Sequence, residues 1–271
     1  MKRRVIIISI VSLLLMVMVV SAFQIISTYL EYKKASDTYE DLQNKYVNTV
    51  PQTTANTEPV NTTEDTETEI SPTDTQPVET EPAPAAISVD FDVLLEENKD
   101  IVGWIYCPDT PISYPVVQGQ DNDQYLRADL NGKYLVSGTL FVDYRNSEIG
   151  QDRNYIIYGH NMKNGSMFGS LLKYKEQSYY EQHPTLTYLT PEGSYTIELI
   201  AGLVVSKTDI IYEANPDREE FQGYLTNAVQ KSTFSSNAEY TDEDTLVILS
   251  TCSYEFDAAR YVVIGKLSVQ N

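Results

Sequence analysis

Sulphur and imidazole are scarce in this chain. Among 271 residues there are two cysteines, Cys107 and Cys252, and two histidines, His160 and His183. Two cysteines do not make the framework of bridges that staples small extracellular scaffolds. A single Cys107–Cys252 bridge is left open by the sequence. No metal site and no cofactor is expected. Positive charge is scarce too, with 19 Lys and Arg against 39 Asp and Glu and a formal charge of −20. A basic surface for nucleic acid is therefore excluded, because nothing would offset phosphate repulsion. A basic or amine-bearing partner is better tolerated.

What is present is unevenly distributed. Residues 1–50 carry six bases and four acids, whereas 51–86 carry eight acids and no base. Val5 to Val20 is an almost unbroken apolar run that Ser21, Ala22 and Phe23 extend. At 1.5 Å per residue it covers ~28 Å, about one bilayer core. Lys2, Arg3 and Arg4 precede it, so the positive-inside rule places the N-terminus in the cytoplasm and the rest of the chain outside a single-pass cell-membrane anchor. Val20-Ser21-Ala22 also reads as a small-residue cleavage site. The run exceeds the ~7–15 apolar residues of a signal peptide, which favours the anchor, residues 1–23.

From Gln24 to Val47 apolar residues recur every three or four positions, predicting a juxtamembrane helix in 24–50. Residues 51–86 hold ten Thr, six Pro and eight acids. With so little to bury they are expected to stay disordered, as a spacer holding a folded unit, 87–271, off the membrane.

Within 87–271, Asp90 to Asn98 reads as a short helix capped by Asp90. Short runs rich in Val, Ile and Tyr follow at 102–106, 112–118, 136–142, 155–158, 185–189, 195–206, 245–251 and 261–269. Turn residues separate most of them, which predicts a mostly β, closed or nearly closed barrel. Phe221, Leu225 and Val229 predict a helix over 218–231.

The chemistry lies at strand ends. Cys252 closes the apolar run Thr245-Leu-Val-Ile-Leu-Ser-Thr-Cys252. A thiol is a weak nucleophile until a neighbouring imidazole shares its proton. His160 follows another apolar run, Asn154-Tyr-Ile-Ile-Tyr-Gly-His160, and spacing alone does not show contact between the two. Arg260 lies eight residues beyond Cys252 and opens the last run. If 253–259 is a hairpin loop, thiol and guanidinium face one cleft, where Arg260 would donate to an oxyanion. Taken singly, each has a plainer reading: a core cysteine, a loop histidine, an arginine paired with Glu255 or Asp257. Cys107 reads as core and His183 as a solvent-facing bystander.

Together with Val102-Gly-Trp-Ile, Ile112-Ser-Tyr-Pro-Val-Val-Gln118, Gly159-His-Asn-Met-Lys-Asn-Gly-Ser-Met-Phe168 and Ser250-Thr-Cys-Ser-Tyr-Glu-Phe256, these motifs strongly resemble the sortases, class B in particular. The likeness spans Ser88 to Val269. It implies an eight-stranded sortase barrel with N-terminal helices and a long helix before the seventh strand. It implies a cysteine transpeptidase with Cys252 as nucleophile, His160 as acid and base, and Arg260 as oxyanion stabiliser. Its donors would be surface proteins with a C-terminal sorting signal similar to Asn-Pro-Gln-Thr-Asn or Pro-Pro-Lys-Thr-Gly. Its acceptor would be an amine of a peptidoglycan precursor. Ser250, Asn122, Leu126 and Tyr212 match positions that line the class B substrate pocket. The Ser-His-Gly-Cys motif of another wall transpeptidase class does not occur, and a non-catalytic module on a stalk would show no special thiol reactivity.

Overall fold

A computed structural model describes residues 2–50 and 86–270. The expected acidic spacer lies outside the described residues except for Ala86. A helix, α1 (Lys2–Tyr46), leads into a short strand β1 (Val47–Val50). After the gap come β2 (Ala86–Val89), α2 (Phe91–Glu97), β3 (Ile101–Tyr106), β4 (Ser113–Val117), β5 (Leu140–Val142) and β6 (Asn154–Tyr158). A 3-10 segment, Phe168–Lys175, precedes α3 (Gln177–Gln182), β7 (Thr185–Thr190) and β8 (Gly193–Ser206). The chain ends with α4 (Arg218–Gln230), β9 (Leu246–Cys252) and β10 (Ala259–Val269).

Eight strands close a barrel in the order β10-β8-β7-β3-β4-β5-β6-β9. The β4–β5 and β6–β9 pairs are parallel and the others antiparallel. The long helix α4 precedes β9, the seventh barrel strand. Alternation along each strand divides the residues between two faces. Val247 and Leu249 of β9, Tyr155 and Ile157 of β6, and Tyr261 and Val263 of β10 fill the interior. Leu246 and Ile248, Ile156, and Val262 and Ile264 point outward, where Phe221, Leu225 and Ala228 of α4 cover them. Burial on both faces is why β9 reads as a continuous apolar run rather than an alternating one.

Two expectations are corrected. The run 136–142 is a strand only from Leu140. Gly138 sits at φ +56°, and a Cβ there would lie 2.4 Å from the Leu126 carbonyl oxygen, so the backbone turns where apolar content alone suggested extension. Residues 47–50 are not helical: β1 pairs with β2 in antiparallel register, Val47 opposite Val89 and Val50 opposite Ala86.

That pairing changes the meaning of the acidic segment. The strands on either side of it, β1 and β2, lie side by side. Helix α1 docks directly. Ala35 and Tyr39 are buried in the barrel cluster, and Tyr46 joins Trp104 and Leu94 in a second one. The Tyr39 hydroxyl donates to the Gly138 carbonyl, Gln43 Nε2 donates to the Ser113 carbonyl at 2.7 Å, and Lys45 pairs with Glu97 of α2. Asp90 caps α2, its carboxylate accepting from the Val93 N–H at 3.2 Å. The outer part of α1 is long and apolar enough to cross a membrane, and its apolar side chains from Ile10 to Leu30 are exposed.

Candidate active site

The site lies where β6, β9 and β10 end together. Cys252 and Arg260 are directly opposite partners on β9 and β10, so their side chains share the outer face with Cβ atoms ~5 Å apart. In the parallel pair β6–β9, Tyr158 stands opposite Ser250. Counting on by two on each strand brings His160 level with Cys252. Two hydrogen bonds continue the ladder past the paired residues: Gly159 N–H donates to the Ser250 carbonyl at 3.0 Å, and Thr251 Oγ1 to the Gly159 carbonyl at 2.9 Å. Asn161 Nδ2 then donates to the Cys252 carbonyl at 2.9 Å. Gly159 is required, since a Cβ there would meet Leu140 at 2.4 Å and Phe168 at 2.7 Å. The same outer face that α4 covers lower down is left open at these strand ends.

His160 Nε2 lies 2.7 Å from the Leu126 carbonyl oxygen. A carbonyl only accepts, so Nε2 carries the hydrogen and Nδ1 is left to exchange protons. Burial pushes the imidazole below its usual pKa, and the nearby Arg127 charge acts in the same direction against the stabilising Leu126 bond. Arg260 spends one donor on its own neighbour, the Ala259 carbonyl, at 3.0 Å. Among the described residues no carboxylate pairs with it, because Glu255 is held by Lys175 and Ser253. The guanidinium therefore keeps donors for a developing negative charge.

A cleft of about 260 Å³ joins these groups. All seven residues singled out from the sequence line it: Cys252, His160, Arg260, Ser250, Asn122, Leu126 and Tyr212. The sequence reading missed Phe141, Tyr158 and Lys207, which line it too. It also missed Asp143, buried behind the wall. Arg145 grips both Asp143 oxygens at 2.8 Å, Tyr158 OH donates at 2.9 Å and Asn122 Nδ2 at 3.1 Å. Burial alone would raise this carboxyl, but those bonds outweigh it and hold it below the ordinary carboxylate range. The Tyr144 N–H donates to Asn122 Oδ1 at 3.0 Å, so the Asn122 amide is fixed from both ends. Tyr158 stacks on Tyr212 at 6.0 Å, and Tyr212 OH lies 2.8 Å from Ser250 Oγ. Burial pushes the Tyr212 phenol up to about 12, so it acts as a neutral hydrogen-bonding group.

Cys107 and Cys252 are both free, which settles the question of a bridge. Cys107 is fully buried in the barrel, and burial pushes its thiol up. His183 is half-buried rather than solvent-facing, packed 4.5 Å from the Tyr179 ring at the end of α3. It lies outside the cleft.

A barrel of this topology with a half-exposed thiol at one strand end has the form of a sortase-type transpeptidase. Residues 105–268 match the family model described as the sortase domain. A sortase B of Listeria monocytogenes is 40% identical over 174 residues, 63% of this chain and 70% of that protein. A sortase B of Staphylococcus aureus is 28% identical over 258 residues, 94% of this chain and 93% of that one. The solved S. aureus sortase B–substrate complex superposes with a TM-score of 0.63 and 32% identity, covering 67% of this chain and 85% of the other. The chain belongs to the sortase family, in class B, and is a transpeptidase of cell-wall sorting.

Proposed function

We propose that Cys252, His160 and Arg260 carry out acyl transfer from a C-terminal sorting signal to an amine. The Cys252 thiolate attacks the carbonyl carbon of a Thr in the signal. Charge moves onto the carbonyl oxygen, where Arg260 donates hydrogen bonds to it. As the tetrahedral adduct collapses, the C–N bond breaks and imidazolium His160 gives its Nδ1 proton to the leaving amine. A thioester remains on Cys252. An incoming amine then attacks the thioester, His160 takes its proton, an amide forms and the thiolate is released. No cofactor is needed. The observation that carries the reading is the register: Cys252 and Arg260 are cross-strand partners, with His160 level on the next strand.

Ser250, Asn122, Leu126 and Tyr212 are proposed to hold the signal. That a solved relative is a sortase B–substrate complex supports a substrate-binding role for a chain of this fold. The target is a surface protein bearing the signal, and the acceptor is the amine of a peptidoglycan precursor. We read α1 as a retained single-pass anchor with a cytoplasmic N-terminus, because its apolar outer half is continuous with a half that packs on the catalytic barrel. The barrel then lies outside the cell.

Trapping tests the nucleophile. With Cys107 replaced, Cys252 is expected to react with a methanethiosulfonate reagent much faster than a free thiol, and Cys252→Ala to abolish cleavage of sorting peptides. Ordinary thiol reactivity together with unchanged cleavage in Cys252→Ala sinks the mechanism. For Arg260→Lys, kcat/KM is expected to fall about 100-fold, since a point charge does not reproduce the guanidinium fork. Near-normal turnover in that variant removes the oxyanion role.

A further inference from the structure

The docked helix has a consequence for the barrel surface that surrounds its outer end. The exposed apolar side chains of α1 continue through Ile25, Ile26, Tyr29 and Leu30. Such a run is longer than a bilayer core needs, and the excess is taken up by tilt or by deep seating. Lys34 follows Leu30 by only ~6 Å along the axis, within the headgroup layer of about 5–8 Å. At that level α1 already touches the barrel, for Lys34 Nζ lies 3.4 Å from the Tyr134 carbonyl oxygen and Ala35 is buried.

Tyr134 belongs to a small hairpin. Ala128 pairs with Tyr134, Leu135 N–H donates to the Arg127 carbonyl at 3.0 Å, and Asp129 N–H to the Lys133 carbonyl at 2.9 Å. Gly132 at φ +73° makes its tip. The Tyr134 ring is 57% exposed although it is a large aromatic, and Lys133 and Arg127 are exposed with it. Lys33 and Lys34 add two charges from α1. The acids nearby are Glu31, Asp37 and Asp129, three against the four bases, and the Asp129 carboxylate is occupied by the Asn131 and Lys133 N–H groups at 2.9 Å. In a chain of net charge −20, this patch is cationic with an aromatic edge. That is the composition that settles at an anionic lipid interface.

We propose that the Lys133–Tyr134 side of this hairpin rests on the bilayer, among the headgroups, while Leu130 packs back on the barrel and its carbonyl accepts from Asn98 at 2.8 Å. The root of the same hairpin, Leu126, holds His160 and lines the cleft. The chain between them turns at Arg127 and again at Leu130–Asn131, so tip and root lie within ~20 Å of each other. The cleft therefore opens beside the membrane, within reach of chains and amines that leave the lipid surface. The opposite end of the barrel stands away: from Lys34 to Tyr46 the helix climbs ~18 Å. Tyr46 accepts from Asp90, and Asp90 lies beside the Pro191–Gly193 turn.

The proposal rests on α1 being a retained anchor, and one experiment separates the two. The full chain, in a Cys252→Ala background, carries a bimane label at Asn131→Cys or at Glu192→Cys. It is reconstituted into vesicles of phosphatidylglycerol and phosphatidylcholine bearing a headgroup nitroxide. The label at 131 is expected to lose most of its fluorescence and the label at 192 little. Lys133→Glu combined with Tyr134→Ser is expected to recover fluorescence at 131. Protein that resists carbonate extraction but shows equal quenching at both positions, or none at 131, overturns the seating and leaves the anchor. Protein released by carbonate overturns both.

Discussion

Asp143 shows how one buried carboxylate shapes a pocket it does not line. Three side chains converge on it, and two of them, Asn122 and Tyr158, form the cleft wall. Asp143→Ala leaves both without their partner. The expected cost is about 2–3 kcal/mol in stability, with KM for a sorting peptide rising about tenfold and kcat changing less, which steady-state kinetics and urea unfolding will read. The sign of the pH effect follows from the depressed carboxyl. Its stabilisation is present above the unfolded-state pKa and is lost as pH falls through the lower folded value. Asp143→Ala should lack that part of the acid sensitivity. Arg127 offers a separate test on His160. Its positive charge disfavours imidazolium, so Arg127→Gln should move the His160 titration, followed by NMR, to higher pH. A shift to lower pH would contradict the electrostatic account.

At the scale of elements, the site depends on two turns that hold strand ends in place. One is the Ser253–Ala258 hairpin, whose register sets Arg260 opposite Cys252. The other is the bend at Gly138. Its left-handed φ and its closeness to the Tyr125 and Leu126 carbonyls fix the segment that offers its oxygen to His160. Gly138→Ala adds both a strained φ and a steric overlap that backbone must absorb. A loss of about 2–4 kcal/mol is expected by thermal unfolding, accompanied by a displaced His160 resonance. Unchanged stability would show that the 125–138 segment shifts freely.

For the whole molecule, the β1–β2 pair makes the acidic segment an insertion into a hairpin. If 51–85 is as unfolded as its composition implies, replacing it with Asn-Gly should keep the fold and the activity. It should also stabilise the protein by about 2 kcal/mol, because a shorter loop costs less entropy to close. Thermal unfolding and peptide cleavage check this. A spacer role predicts the reverse, with the shortened chain losing access to its substrates on membranes while its fold is unaffected.

Composition and periodicity were enough for the barrel, the α4 helix, the apolar N-terminus and the positions of the three strand-end groups. Those features are local: each follows from a run of neighbours that either buries a face or does not. Cys252 and Arg260 were legible as partners because a short hairpin ties them together. The placing of His160 level with Cys252 was not, because β6 and β9 are parallel and 92 positions apart, and only barrel closure decides their register. Asp143 showed only a local pairing with Arg145, since the partners that tie it to the cleft, Asn122 and Tyr158, come from two other segments. The docking of α1 was hidden for the same reason. A Tyr or Ala in a helical pattern reads alike whether it faces water, lipid or a protein core, and only the packed barrel supplies the surface that buries Ala35, Tyr39 and Tyr46.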